Sequence, residues 1–262
     1  MSIDRKTVEK RSVWFLSKAE TFYQSFGFRK KLAGAEAVPY LKQRGVQAAV
    51  FDIDGTLLDS MSFWDSLGER YLQERGELPE PGLRDMLFPM TLEESVQYLK
   101  GAYRLPDSEG EIRNGLYRLT ERFYREEVSL KKGAEDFVRR LSGAGVPMVL
   151  CTTGEAELEK AALSRLGVRN LFGDFLACGD IHLTKRTPDI YLLCAERLGA
   201  EPSDTVVFED TLQALEAAKR GGFLTAAVED AADKKEQEKI VKTAEFYCLA
   251  DFSALYIRQG KW

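Results

Sequence analysis

The 262-residue chain is poor in the residues that build several common kinds of site. It has one histidine, His182, so a metal site with two histidines is excluded. Its four cysteines are scattered with no close pair, which argues against a disulfide framework and against a zinc site. No apolar run approaches the roughly 18–20 residues of a membrane span, and the apolar run near the N-terminus is too short for a signal-peptide core. We therefore expect a cytoplasmic protein with reduced thiols and no membrane span.

The charge of the chain is mildly acidic and unevenly distributed. The net charge of −5 gives no indication of a nucleic-acid partner. Residues 1–47, in contrast, hold ten Lys/Arg and four Asp/Glu. Apolar residues recur at helical spacing over residues 4–28 and again over residues 35–44, so we predict an N-terminal helical extension over residues 1–46. This extension could pack on the core, form a self-association surface, or lie on an anionic membrane as a basic amphipathic helix.

The hydrophobic pattern of the rest of the chain divides it into a helical segment and an alternating segment. Residues 61–128 show helical spacing and no strand signal, with a break that contains Pro79, Pro81 and Gly82. From residue 133 onward, short apolar strands alternate with helices, and this pattern predicts an α/β fold with a doubly wound, Rossmann-like parallel sheet. At the C-terminal end we predict, in order, a helix over residues 233–243, an edge strand over residues 246–249 and a last helix over residues 252–257.

The most informative stretch follows the first buried strand. The apolar run over residues 48–51 leads directly to Asp52 and Asp54, and Gly55 permits a sharp turn after them. Ligands of open α/β sheets bind at the carboxyl ends of the strands, which is where these carboxylates would lie. Because crowded carboxylates repel one another, such a group usually holds a cation or divides acid and base roles.

The stretch from Phe51 to Ser60 resembles the first motif of the haloacid dehalogenase-like superfamily, in its phosphatase branch that forms an aspartyl phosphate. Three further motifs follow in the family's order, each at the end of a predicted strand or before a predicted helix. The resemblance covers about residues 47–230, and the helical segment matches the cap of one subclass. It implies a core of residues 47–60 and 129–262 and a helical cap of residues 61–128. The three further motifs are Thr152-Thr153-Gly154, Lys185 within Thr184–Tyr191, and Glu209-Asp210.

The resemblance assigns roles to the carboxylates. Asp52 would be the nucleophile, and Asp54 would protonate the leaving alkoxide and then take a proton from the attacking water. Asp52, the backbone carbonyl of Asp54, and Asp210 would bind Mg²⁺, with Glu209 either joining them or lying behind them. An aspartate at position 54 favours a phosphate ester, because halide departure needs no proton.

The other motif residues would bind the phosphoryl group. Thr152 could donate a hydrogen bond to a phosphoryl oxygen or could cap the next helix, and the backbone N–H groups of Thr153 and Gly154 would face the anion. Lys185 would neutralise phosphoryl charge. Arg186 replaces a proline of the family's pattern and is a rival cation for that role.

We therefore predict a Mg²⁺-dependent phosphatase that acts on a small phosphorylated metabolite. A first alternative is a sugar phosphomutase of the β-phosphoglucomutase type, although Trp64 stands where that branch often has a cap-hinge histidine. A second alternative is a catalytically silent binding module on the same fold. Substrate choice would depend on residues in the break between cap helices, and the sequence does not indicate an oligomeric state. These cap residues are Arg84, Met86, Phe88 and Met90.

Overall fold

The computed structural model describes residues 21, 24–230, 236–248 and 251–258. Most of the helix predicted over residues 4–28, and the start of the one predicted over residues 233–243, lie outside this part of the chain. The strands of the described residues form one eight-stranded sheet. They are β1 (Phe28–Ala33), β2 (Ala48–Phe51), β3 (Met148–Thr152), β4 (Asp174–Ala177), β5 (Thr205–Glu209), β6 (Leu224–Val228), β7 (Phe246–Cys248) and β8 (Ala254–Arg258).

The sheet has the order β1-β8-β7-β6-β5-β2-β3-β4. The six strands from β7 to β4 are parallel, and β8 and β1 are added in antiparallel pairings. All four residues of β2 are buried, as its continuous apolar run predicts for a central parallel strand. Because β2 lies between β5 and β3, the carboxyl ends of these three strands meet at one edge of the sheet.

Helices cover both faces of the sheet, so the predicted doubly wound fold is confirmed. Alternate residues of β2 show the two layers: Phe51 packs against Phe137 on one face, while Val50 packs in the cluster of Ile190 and Cys194 on the other. The helices are α1 (Gly34–Gln43), α2 (Met61–Glu74), α3 (Leu83–Leu87), α4 (Leu92–Ala102), α5 (Glu109–Arg122), α6 (Ala134–Gly143), α7 (Ala156–Arg165), α8 (Cys178–Ile181), α9 (Asp189–Leu198), α10 (Leu212–Arg220) and α11 (Gln237–Thr243).

The helical cap consists of α2 to α5 and a π-helical turn over Phe123–Glu127, which confirms the predicted helical insertion. Two of its helices begin with a capping box, because Thr91 accepts from the Glu94 N–H and Ser108 accepts from the Glu111 N–H. The predicted break between cap helices contains the short α3. No helix of the described residues is long and apolar enough to cross a membrane.

Two predictions near the C-terminal end are wrong. The helix predicted over residues 252–257 is strand β8, and β7, predicted at an edge, lies between β6 and β8. A short apolar run does not distinguish helix from strand by its period, and here pairing with β7 and β1 decides.

The predicted N-terminal extension is also not wholly helical. Residues 28–33 form β1, in which Phe28 and Leu32 are buried with exposed lysines between them, and β1 pairs with β8. The helix predicted over residues 35–44 is α1, and it packs on α6 and β1. The extension therefore packs on the core over residues 28–43, the first of the three roles considered for it.

Candidate active site

A cavity of about 500 Å³ opens at the edge of the sheet where β2, β3 and β5 end. Asp52 follows β2 directly, Thr152 is the last residue of β3, and Glu209 is the last residue of β5. The structure brings all nine predicted site residues to this one cavity. They are Asp52, Asp54, Thr152, Thr153, Gly154, Lys185, Arg186, Glu209 and Asp210.

Three buried carboxylates form the centre of the site. One oxygen each from Asp52, Glu209 and Asp210 lies within 4.8 Å of the others. Burial and the charge of Asp52 raise the pKa of Asp210 well above its usual range, so the protein alone does not compensate these charges. Oxygen donors in this arrangement fit a hard divalent cation such as Mg²⁺.

The backbone at Gly55 lies directly against this cluster. A Cβ atom at this position would be 2.3 Å from Asp210 Oδ2, and Gly55 has a φ of +79°. Both the close approach and the left-handed backbone need a residue without a side chain. The glycine of the first motif therefore lets β2 turn away while the carboxylates from β2 and β5 converge.

Lys185 is the cation that the fold places in the cluster. Its ammonium group contacts the carboxylate of Asp52 and lies 2.7 Å from Glu209 Oε1. The hydroxyl of Tyr191 on α9 donates to the same Glu209 oxygen at 2.8 Å. Burial opposes the charge of the lysine, but the two carboxylates more than offset this and hold the pKa of Lys185 well above its usual value. The neighbouring Arg186 is exposed at the rim of the cavity.

Glu209 contacts Lys185 and Tyr191 in addition to the other two carboxylates of the cluster. Burial raises the pKa of Glu209 to about 7, while Lys185 acts in the opposite direction. Because Oε1 already contacts Lys185 and Tyr191, this geometry suits a residue that orients the lysine.

Asp54 faces the cap. Its Oδ2 accepts a hydrogen bond of 2.5 Å from the hydroxyl of Tyr124, and that hydroxyl accepts one of 3.1 Å from the indole N–H of Trp64. Burial, and to a smaller extent the charge of Asp52, raise the pKa of Asp54, and the bond from Tyr124 works against that rise. Its carboxylate is not one of the three in the cluster.

Thr152 is held by hydrogen bonds on both sides. Its hydroxyl donates to Glu159 Oε1 at 2.7 Å and accepts from the Gly154 N–H at 2.8 Å. The alternative that Thr152 caps the next helix is wrong, because the N-cap position of α7 is Glu155. Glu159 on α7 is fully buried, and this burial together with the charge of Asp54 raises its pKa to about 9.

Sequence reasoning did not identify Glu159, Tyr124 or Tyr191 as site residues. Glu159 carries a readable signal, because it lies three and four residues before Ala162 and Leu163 on the apolar face of α7. Tyr191 stands in an apolar run and Tyr124 stands among arginines and glutamates, and neither context indicates a site residue.

A second cavity, of about 310 Å³, lies within the cap and adjoins the first. Met61 and Trp64 line both cavities. Of the four cap residues predicted to face a substrate, Arg84, Phe88 and Met90 line it; the fourth, Met86, is half exposed and is not part of its wall.

Comparison with known proteins places this geometry in context. A family model described as haloacid dehalogenase-like hydrolase matches residues 46–222. The chain is 31% identical over 218 residues to a Drosophila melanogaster protein named "Probable pseudouridine-5'-phosphatase", covering 80% of this chain and 92% of that one. It is 26% identical over 179 residues to the "Phosphorylated carbohydrates phosphatase" of Thermotoga maritima, covering 68% and 82%.

The fold is likewise similar to solved structures. The crystal structure of CbbY from Rhodobacter sphaeroides in complex with phosphate superposes with a TM-score of 0.60 at 22% identity, covering 79% of this chain and 95% of that one. At this level of identity the likeness concerns the fold.

Proposed function

The chain belongs to the haloacid dehalogenase-like hydrolases, as its first motif predicted, and we propose that it is a Mg²⁺-dependent phosphatase that works through an aspartyl phosphate on Asp52. One observation carries the proposal. Asp52 contacts the buried ammonium group of Lys185 and shares a cluster with Glu209 and Asp210 at the floor of an open cavity. This arrangement pairs a carboxylate nucleophile with the positive charge that an incoming phosphate ester requires.

In the first step, an oxygen of Asp52 attacks phosphorus, and the bond between phosphorus and the ester oxygen breaks. The departing alkoxide takes the proton of Asp54. Lys185 balances charge on the phosphoryl group; Thr153 and Gly154 line the same cavity, and the Gly154 N–H is already donated to Thr152. Asp52, Asp210 and the Asp54 carbonyl would hold Mg²⁺, with Glu209 beside them orienting Lys185, and the ion would neutralise charge between a carboxylate and an anionic ester.

In the second step, water attacks the phosphorus of the aspartyl phosphate. Asp54, now ionised, takes a proton from this water, and the bond from phosphorus to the Asp52 oxygen breaks. Inorganic phosphate leaves, and both aspartates return to their starting states. The roles of nucleophile and of acid and base fall on two carboxylates in different environments, because Asp52 lies in the cluster and Asp54 faces Tyr124.

The substrate is a small phosphorylated metabolite, and the cap cavity would receive its leaving group. The wall of that cavity is mostly apolar and includes Trp64 and Phe88, with an ion pair of 2.8 Å between Arg84 and Asp65. Such a wall favours a leaving group with an apolar face and a few polar atoms over a fully hydroxylated chain. A panel of nucleoside 5′-monophosphates and sugar phosphates, assayed by phosphate release, should show higher kcat/KM for the nucleotides.

The nucleophile is tested with p-nitrophenyl phosphate in the presence of Mg²⁺. Asp52→Asn should abolish turnover, whereas Asp59→Asn, at an exposed carboxylate of the same motif, should retain it. Unchanged turnover in Asp52→Asn would overturn the proposed mechanism. Supplying a hexose 1-phosphate to the wild type and measuring isomerisation against phosphate release separates the phosphatase from a phosphomutase.

A further inference from the structure

Tyr124 connects the cap to the carboxylate proposed as general acid. It lies in the π-helical turn where the cap returns to the core, and only 1% of its surface is exposed. Its hydroxyl lies 2.5 Å from Asp54 Oδ2 and 3.1 Å from the indole nitrogen of Trp64. Trp64 lies in the first helix of the cap and Tyr124 in its last turn, so the two ends of the cap segment meet at Asp54.

Packing fixes the tyrosine in place. Arg165 on α7 donates to the backbone carbonyls of Tyr124 and Val128, and this holds the π-helical turn on the core. The ring of Tyr124 also packs edge to face on Phe123, at 5.5 Å between centroids, and tilted against Trp64, at 6.3 Å. The hydroxyl is therefore directed at Asp54 by contacts that do not involve Asp54.

The donors and acceptors of these groups indicate the direction of both hydrogen bonds. An indole N–H can only donate, so the Tyr124 oxygen accepts from Trp64. Asp54 Oδ2 is the acceptor that the hydroxyl proton of Tyr124 contacts, and donation to this oxygen satisfies both groups. With Tyr124 donating to Oδ2, a protonated Asp54 carries its proton on the other oxygen, Oδ1, which is buried.

We propose that Tyr124, oriented by Trp64, is a positioning residue that determines which oxygen of Asp54 carries the proton given to the leaving group. The inference rests on the proposed function of the site, because it concerns the acid of that reaction. It goes beyond the four motifs, since both residues belong to the cap.

The proposal predicts an effect that depends on the leaving group. An alkoxide needs a proton as it departs, whereas p-nitrophenolate is stable without one. Tyr124→Phe keeps the packed ring and removes the hydrogen bond to Asp54. It should lower kcat/KM for an alkyl phosphate by roughly 10–100-fold, a share of the 10²–10⁴-fold typical of general acid catalysis, and leave p-nitrophenyl phosphate within about threefold of the wild type.

The measurement is kcat/KM, because it reports the steps up to departure of the leaving group and not the later hydrolysis of the aspartyl phosphate. The alkyl substrate is whichever ester in the nucleotide and sugar phosphate panel the wild type cleaves fastest. Tyr71→Phe is the matched control: Tyr71 is an equally buried cap tyrosine, and it lies beside Arg75 and does not line the cavity of the site. This control should leave both rate constants unchanged.

Equal losses on the two substrates in Tyr124→Phe would overturn the inference and leave the phosphatase standing. Absence of turnover on both substrates in the wild type would instead reject the proposed function. Should Tyr124→Phe fail to fold, Trp64→Phe decides, because it removes the donor that orients the hydroxyl and keeps an aromatic ring at the wall shared by the two cavities. Trp64→Phe should then show the same selective loss on the alkyl ester, and a uniform loss would count against the proposal.

Discussion

Glu159 makes the stability of the fold depend on pH in a way that can be calculated. It is fully buried, and burial and the nearby charge of Asp54 raise its pKa from 4.5 to about 9, although the bond from Thr152 acts in the opposite direction. Between these two pH values the folded protein holds a proton that the unfolded chain has lost. Stability must therefore fall as pH rises from 4.5 towards 9.

The size of the effect follows from proton linkage. A difference of one bound proton changes the free energy of unfolding by about 1.4 kcal/mol per pH unit, hence by about 3 kcal/mol between pH 6 and pH 8. Glu159→Gln keeps the shape of the side chain and an acceptor for Thr152, but it cannot bind or release a proton. The wild type should lose about 3 kcal/mol more than this variant over that pH range.

Urea unfolding at pH 6, 7 and 8, in EDTA so that metal binding does not vary with pH, measures the difference. Glu157→Gln serves as the control, because Glu157 is an exposed glutamate on the same helix. It should show the pH dependence of the wild type. If Glu159→Gln also shows the wild-type dependence, then Glu159 is not the group that holds the extra proton, and the argument from its burial is refuted.

Three further predictions test the proposed metal and phosphate site. Gly55→Ala should abolish phosphate release and cost roughly 1–3 kcal/mol in urea unfolding beyond the cost of Gly76→Ala, which has a φ of +77° but open space around its Cβ position. Mg²⁺ should raise the midpoint of thermal unfolding of the wild type relative to EDTA, and Asp210→Asn should abolish that rise. Lys185→Met should reduce kcat/KM on p-nitrophenyl phosphate by roughly 10²–10³-fold, as loss of a charge-stabilising donor does, whereas Arg186→Met should retain most of it.

The position of the site was predictable because it depends on local patterns. Each motif residue follows a short buried run, and parallel strands carry their carboxyl ends to a common edge. The motif favours Lys185 over the adjacent Arg186, but adjacent positions do not show which side chain is buried. In the fold Lys185 is buried against Asp52, while Arg186 is exposed.

The antiparallel edge of the sheet could not be predicted in the same way. Strands β1 and β8 are paired across more than two hundred residues, and neither run shows a period that excludes a helix. Only the arrival of β7 beside β8 makes the extended form of Ala254–Arg258 the favourable one. Pairing between distant segments leaves no trace in the periodicity of either segment.

The hydrogen-bond partners of the catalytic groups were the least predictable feature, and the reason is chemical. A motif shows which side chains carry charge, but the proton on a buried carboxylate is placed by whatever donor the fold brings to it. For Asp54 that donor is Tyr124, whose hydroxyl accepts from the indole N–H of Trp64 and donates to Asp54 Oδ2. The oxygen of Asp54 that carries the proton in the proposed reaction is thus set by cap residues that no motif contains.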